Sequence, residues 1–522
     1  MPLRFAPRPT LRDSWKSDLP ASLVVVLVAL PLCLGIALAS GAPLAAGIVA
    51  GVIGGILVGL LSNSQLMVSG PAAGLTAIVF TGIATLGSFE AFLAAVVIGG
   101  LLQIVLSIAR AGVIGYYFPS CVIKGMLAGI GVILILKQIP HAFGYDADFE
   151  GDEAFQQAGD VNTFSALGEL TKQVQPGAVL IAIAALSVMV LWSRPALKKL
   201  KAFPAPLLVV LIGIGMNALF DAVWPSLAIR ATHMVQLPIA SSPADWLTFF
   251  TLPDWSALTS LATWKLGVTL AIVASLETLL SLEATDKMDP YKRESDTNRE
   301  LLAQGVGNTL AGLIGGLPIT GVVVRSAANI DAGARTRWSA VLHGLLLLVC
   351  VLAIPTLLNQ IPLSALAALL LYTGFKLASP ALFRTAWSLG WAQFIPFVVT
   401  VVAIVLTDLL VGISIGLSVA FMFILAQNMR QPALRQISPD GAVLTRFQLP
   451  DQATFLSKAN IERTLNALPQ GSRVEIDGTH TARFDHDVLE QLHEFTQTAK
   501  FRNIDYRMVN IPPIATTPSH SH

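Results

Sequence analysis

Charge is what this sequence has least of: Asp, Glu, Lys and Arg together make up 12% of its 522 residues, about half the share of an ordinary soluble domain. That scarcity excludes a string of soluble domains. The charges nearly cancel, at net +1, and no block of basic residues interleaved with aromatics occurs, which excludes a nucleic-acid partner. Only three cysteines are present, Cys33, Cys121 and Cys350, each in a separate apolar segment. Without a CxxC or a zinc spacing they read as small core residues. No HExxH, GxSxG or Walker pattern appears, so an enzyme has no support and no cofactor is expected. The opening MPLRFAPRPTLRDSWKSD lacks a short apolar core with a small-residue cleavage site. Residues 1–19 therefore read as a cytosolic leader, not a removed signal peptide.

What fills the chain instead is apolar residue, 54% of the total, with a mean hydropathy of +0.69. Apolar runs recur from about residue 22 to residue 426, and many are long enough to cross a hydrocarbon layer of about 30 Å. One such run is an anchor; a dozen make lipid the solvent of the fold. The runs predict spans near 20–38, 44–61, 71–87, 90–109, 120–137, 177–192, 204–222, 266–284, 298–314, 322–331, 338–356, 362–375, 390–407 and 409–427, about 14 in all. With the N-terminus inside, the basic stretches 194–201, 287–299, 335–337 and 376–384 fall inside and the acidic loop 146–160 outside. An even count returns the chain to the cytoplasm, so both termini are expected there, in a multi-pass inner (plasma) membrane protein.

Two spans are unlike the rest. Residues 66–80 (LMVSGPAAGLTAIVF) open with a strand-like run and then Gly70-Pro71, a helix-start signal. Residues 315–330 (GGLPITGVVVRSAANI) open on Gly, Pro and a β-branched run and turn helical only around Arg325. Either alone is equally an ordinary kinked helix. Short, Gly/Pro-interrupted spans at matching places in two halves point to a transporter's substrate site, and these two, third and tenth, fit a seven-plus-seven repeat. The transmembrane region is thus 20–427, followed by a polar linker at 428–440. Strand patterns at 443–449, 473–476 and 506–511 alternate with amphipathic helices at 458–468 and 487–499, which predicts a small α/β domain over 441–512. Residues 513–522 read as a disordered tail.

Ionisable residues inside a span cost roughly 2.5–3.5 kcal/mol at a helix centre and are functional candidates for that reason. Glu277 lies deep in its span with no Lys or Arg within a turn. It reads as a Na⁺ or H⁺ site, since hard cations take carboxylate and carbonyl oxygens; a structural hydrogen-bonding carboxyl is the alternative. Ser281, one turn on, offers a second oxygen. Arg325 is the only basic residue between Gly305 and Arg335. An anion in a low-dielectric pocket needs positive charge, and Arg325 with two helix N-termini would supply it. Pairing of Arg325 with Glu277 is a compatible alternative. At Ala72, Ala73 and Gly74 no bulky side chain screens the backbone amides from a small anion. Glu283 and Asp286 read as a solvated helix end, and Lys124 and His343 as snorkelling or interfacial.

At these residues the sequence resembles the SulP anion-permease family, which includes sulfate and bicarbonate transporters and the motor protein prestin. VALPLCLGIALASGAPLAAGIVAG looks like its first-span motif and VSGPAAGLT like its third. The longest likeness runs from SLETLLSLEATDK through NRELLAQGVGNTLAGLIGGLPITGVVVRSAANIDAGARTR, and the ending is similar to the family's cytosolic STAS domain. The resemblance implies an α-helical polytopic fold of 14 segments in a 7+7 inverted repeat, shared with uracil-permease-like transporters, in which a core of spans 1–4 and 8–11 moves elevator-like against a gate. It places the anion at Ala72, Ala73, Val323, Val324 and Arg325, with Ile36 as a wall. It places Na⁺ at Glu277 and Ser281, with backbone from Gly321 and Val323. Several positions depart from the family pattern: Leu32 stands for a common Gln, Ala72 for an aromatic, Val324 for Ser or Thr, and Glu277 for an Asp. FDHD at 484–487 lacks the Ser that is phosphorylated in related regulatory domains.

The expected function is secondary active transport of a small inorganic anion coupled to Na⁺ or H⁺, by a homodimer in the lipid bilayer. Bicarbonate is favoured over sulfate, because one Arg, two helix starts and few polar side chains suit a single charge. The alternative is an uncoupled channel or exchanger for chloride, sulfate or dicarboxylate.

Overall fold

A computed structural model of the protein describes residues 11–146, 155, 162–169, 174–194, 204–237, 249–430, 434–437 and 443–513. The start of the expected leader (1–10), nearly all of the acidic stretch 146–160, residues 195–201 of one basic stretch, parts of the linker and residues 514–522 lie outside the described residues. The chain divides into two compact units, Met1–Leu417 and Ser418–His522. The division falls inside a helix, ahead of the polar linker that composition marks.

In the first unit the apolar runs wind into helices, because lipid offers no partner to an unpaired amide. They are α1 (Leu11–Ala39), α2 (Leu44–Leu61), α3 (Ala73–Leu86), α4 (Phe89–Ile108), α5 (Ser120–Ala142), α6 (Pro176–Trp192) and α7 (Ala205–Val223). There follow α8 (Leu261–Met288), α9 (Thr297–Ile314), α10 (Val323–Asp331), α11 (Trp338–Ala353), α12 (Leu363–Leu377), α13 (Trp391–Leu406) and α14 (Leu409–Arg430). Two strands precede the interrupted helices: β1 (Ser69–Pro71) before α3 and β2 (Ile319–Gly321) before α10. Among the described residues, eight stretches are long and apolar enough to cross a membrane, and four more are shorter apolar helices. Neither description fits α9, which carries Arg299, Glu300, Gln304 and Asn308, or α10, which has only 9 residues. Helix starts follow local capping: Ser88 Oγ accepts from Ala91 N at 3.1 Å, and Asp296 Oδ1 from Asn298 N at 2.9 Å and Arg299 N at 3.1 Å.

The helices pack as two groups. In one, α4 lies along α8 and α9, and α1 lies against α2, α10 and α11; in the other, α5 lies along α12 and α13, and α6 on α7 and α12. The first group buries Phe92, Leu93, Leu270 and Ala303 among its own helices. A second apolar cluster joins the groups, setting Leu30 and Leu347 against Ile181, Val209 and Leu366.

Just past α5, Asp146 ties two loops together. Its carboxylate accepts from His141 Nδ1 and from His233 Nδ1, each at 2.5 Å, and Gln175 Nε2 donates to His233 Nε2 at 2.7 Å. Burial raises the Asp146 carboxyl, but the hydrogen bonds and charges of the two imidazoles outweigh it and hold the group below its ordinary range. With its folded pKa depressed, Asp146 stabilises the fold above the ordinary carboxylate range, and this contribution is lost as pH falls through the folded value. Asp146→Asn should therefore cost about 1–3 kcal/mol at neutral pH and flatten the loss of stability below about pH 4. Thermal unfolding of the purified protein across pH checks both.

The second unit is a small α/β domain: β3 (Arg435–Gln436), β4 (Thr445–Gln448), β5 (Gln452–Ala453), α15 (Lys458–Asn466), β6 (Arg473–Asp477), β7 (Arg483–Phe484), α16 (His486–Phe501) and β8 (Asp505–Val509). The main sheet has the order β3-β4-β6-β8, with β4, β6 and β8 parallel and β3 antiparallel at the edge. One stripe of α16, Val488, Leu492, Phe495 and Ala499, packs with Ile461 of α15 on Val474 and Ile476. The expected strands and helices form within a few residues of their predicted places. The two-residue strands β3, β5 and β7 were too short to leave a periodic signal.

Candidate functional site

Both interrupted segments run as strand, then helix. β1 and β2 pair antiparallel in the register Ser69↔Gly321, Gly70↔Thr320 and Pro71↔Ile319, and all of these residues are buried. Gly70-Pro71, expected to start a helix, lies in the strand instead. Ala72 N donates to Pro318 O at 3.2 Å, which holds the chain extended until Ala73. In the other segment helix begins at Val323, two residues before the expected Arg325.

Side chains complete what so short a ladder leaves open. Asn308 Oδ1 accepts from Ile319 N at 2.6 Å while its Nδ2 donates to Ile319 O at 2.9 Å. Val322 N donates to Val68 O at 2.9 Å, Val68 N to Ser326 Oγ at 3.0 Å, and Asn329 Nδ2 to Leu66 O at 3.0 Å. A backbone that leaves the helix within a membrane needs such partners from the protein itself.

Arg325 is the third residue of α10 and is fully buried. Ser326 N is the first amide of α10 with an acceptor in that segment, Val322 O at 3.0 Å. The amides of Val323, Val324 and Arg325 therefore point out of the helix start. The guanidinium lies across Gly70, where a Cβ would collide with Nη1; only glycine permits that approach. Nη2 donates to Cys33 Sγ at 3.3 Å, while Nε and Nη1 have no partner among the described residues. A guanidinium stays charged at any ordinary pH, so this is a buried cation with two orphaned nitrogens.

A small cavity of about 20 Å³ opens beside it, with room for about one water-sized group. Leu32 and Ile36 of α1, Ala73 at the start of α3, and Val322, Val324 and Arg325 at the start of α10 line one side. Ile133, Leu134, Lys137 and Gln138 of α5 line the other. Of the residues at which the resemblance places the anion, Ile36, Ala73, Val324 and Arg325 share this lining, whereas Ala72 and Val323 are buried outside it.

Glu277 is buried in α8 against the other half-helix: a Cβ on Gly74 would stand 3.2 Å from its Oε2. Ser281, a turn further on, is also buried, and a Cβ on Gly321 would stand 3.4 Å from Ser281 Cβ. Between them Thr278 Oγ1 accepts from Gly321 N at 3.3 Å. Carboxylate, hydroxyls and strand backbone thus gather where β2 crosses α8, a set of hard oxygen donors.

Sequence reasoning missed Lys137, Gln138, Cys33 and Thr278. The predicted span 120–137 stopped at the lysine, but α5 continues through Gln138 to Ala142, which carries the charge inside the bundle. His343, expected at an interface, is fully buried. It sits where glycines let α2 and α11 touch, and a Cβ on Gly55 would stand 3.0 Å from its Nδ1. Lys124 is half-buried near the start of α5. At the end of α8, Glu283 pairs with Lys287 at 3.2 Å, whereas half-buried Asp286 accepts from Ser295 N at 2.7 Å and Ser295 Oγ at 2.8 Å. Asp286 fixes a turn there; it is not merely solvated.

The fold is that of a polytopic membrane transporter. The chain belongs to the sulfate permease family, whose sequence model it matches over residues 15–404. It is 29% identical over 368 residues to "Bicarbonate transporter BicA" of Synechocystis sp., a stretch covering 69% of this chain and 61% of that relative, less than two thirds of its length. The solved transmembrane domain of a cyanobacterium bicarbonate transporter BicA superimposes with a TM-score of 0.54 at 25% identity, over 78% of this chain and 100% of that one. The overall structure of SLC26A9 superimposes with a TM-score of 0.68 at 14% identity, over 98% of this chain and 87% of that one, and shares the fold.

Proposed function

We propose that the chain is a secondary active transporter that moves a small inorganic oxyanion, bicarbonate ahead of sulfate, together with Na⁺ or H⁺. Both termini are cytoplasmic, the working unit is a homodimer in the plasma membrane, and α1–α4 with α8–α11 move elevator-like against the remaining helices. One observation carries the anion site: Arg325 is fully buried, faces a cavity and keeps two nitrogens without partners. A buried charge of that kind costs several kcal/mol unless a counter-charge joins it, and the amides at the start of α10 add donors for the same guest. Coupling is assigned to the oxygens around Glu277 and Ser281, on the far face of the same strand pair.

Uptake of labelled bicarbonate and sulfate into proteoliposomes, with and without Na⁺ and pH gradients, tests the proposal. Accumulation driven by one gradient is expected. Uptake of neither anion refutes the substrate, and uptake indifferent to both gradients refutes the coupling.

A further inference from the structure

The cavity is bounded by both helix groups, and the α5 side carries polar groups that nothing above assigns. Lys137 and Gln138 are buried, and both line the cavity that Arg325 faces. Lys137 brings a second cationic side chain and has a polar interaction within the fold as well, so it is a shared cation. Gln138 Oε1 is a buried carbonyl oxygen with no partner among the described residues. An orphaned acceptor is an odd neighbour for a fully deprotonated anion, whose oxygens only accept. It is a good neighbour for an oxyanion that carries a hydrogen of its own.

Given the reading of this cavity as the anion site, we propose that Lys137 and Gln138 form its second wall and determine specificity. Arg325 and Lys137 donate to the charged oxygens, and Gln138 accepts from the O–H of a hydrogen-bearing oxyanion such as bicarbonate. Discrimination is then a matter of unpaired groups: a planar, singly charged anion without a hydrogen, such as nitrate, is close to bicarbonate in size and charge but leaves Gln138 Oε1 orphaned.

The test uses the full chain in proteoliposomes, with labelled bicarbonate as substrate and nitrate as competitor. In wild type, bicarbonate should be preferred. Gln138→Met, similar in size but without the carbonyl, should raise the bicarbonate KM about tenfold and leave the nitrate inhibition constant within about twofold. Lys137→Gln should weaken both anions about tenfold with Vmax largely kept, and Lys137→Arg should restore them. Any variant that does not transport is read instead by the thermal stabilisation that bicarbonate and nitrate give the solubilised protein, on the same ratios. A Gln138→Met loss equal for both anions, a wild-type preference for nitrate, or a Lys137→Gln effect confined to Vmax overturns the inference. Arg325→Ala run alongside separates the two readings. If it binds normally, the site itself is misplaced; if it alone loses binding, the site stands and only the second wall falls.

Discussion

Arg325→Ala is expected to reduce anion uptake to the level of empty liposomes, and Arg325→Met to be at least as heat-stable as wild type in anion-free buffer. Both results follow from one physical fact. Within the fold the guanidinium is buried and, among the described residues, leaves Nε and Nη1 unbonded, so an apolar chain of similar length relieves a cost instead of removing a contact. Transported anion should reverse the order. A ligand that binds only the folded protein adds about 2.7 kcal/mol at a hundred times its Kd, and this gain should be present in wild type and absent in both variants. Thermal unfolding with and without bicarbonate, beside the uptake assay, checks all three. A variant that is inactive and strongly destabilised without anion would show instead that Arg325 holds the helices together.

Glu277→Gln should abolish accumulation against a gradient and leave at most downhill anion movement. The amide keeps the shape of the side chain beside Gly74 and removes the charge that a Na⁺ or H⁺ would neutralise. Its fold should survive, because Gly74 leaves room for either group. The decisive measurement is anion uptake with and without an imposed Na⁺ or pH gradient. Wild type should respond to one gradient by tenfold or more, roughly the effect of about 1.4 kcal/mol of driving force, and the variant to neither. A variant with wild-type gradient dependence places the coupling ion elsewhere.

What the sequence made legible was mostly what repeats. Apolar runs of twenty residues fix helices through their length alone, and the Gly/Pro breaks at 70–71 and 315–318 marked the two places where helix gives way to strand. Pairing of those strands was not legible, because three residues hold no periodicity and the partner lies some 250 positions away. Lys137 was hidden for a different reason. The hydropathy of α5 falls at the lysine, so its span seemed to end there, whereas the helix runs on past it and Pro140 sits near its close. For His343 and Cys33 only three-dimensional packing reveals the role, since nothing near either in the chain shows that a glycine or a guanidinium lies opposite.

The crossing of β1 and β2 fastens the third and tenth segments to each other through backbone hydrogen bonds, to which the side chains of Ser326 and Asn329 add two more. The guanidinium on one and the bare backbone of the other are therefore held together as a rivet and its plate. The two segments thus form one block, and the face by which that block meets the other helix group is the greasy seam where Leu30 and Leu347 lie against Ile181 and Leu366.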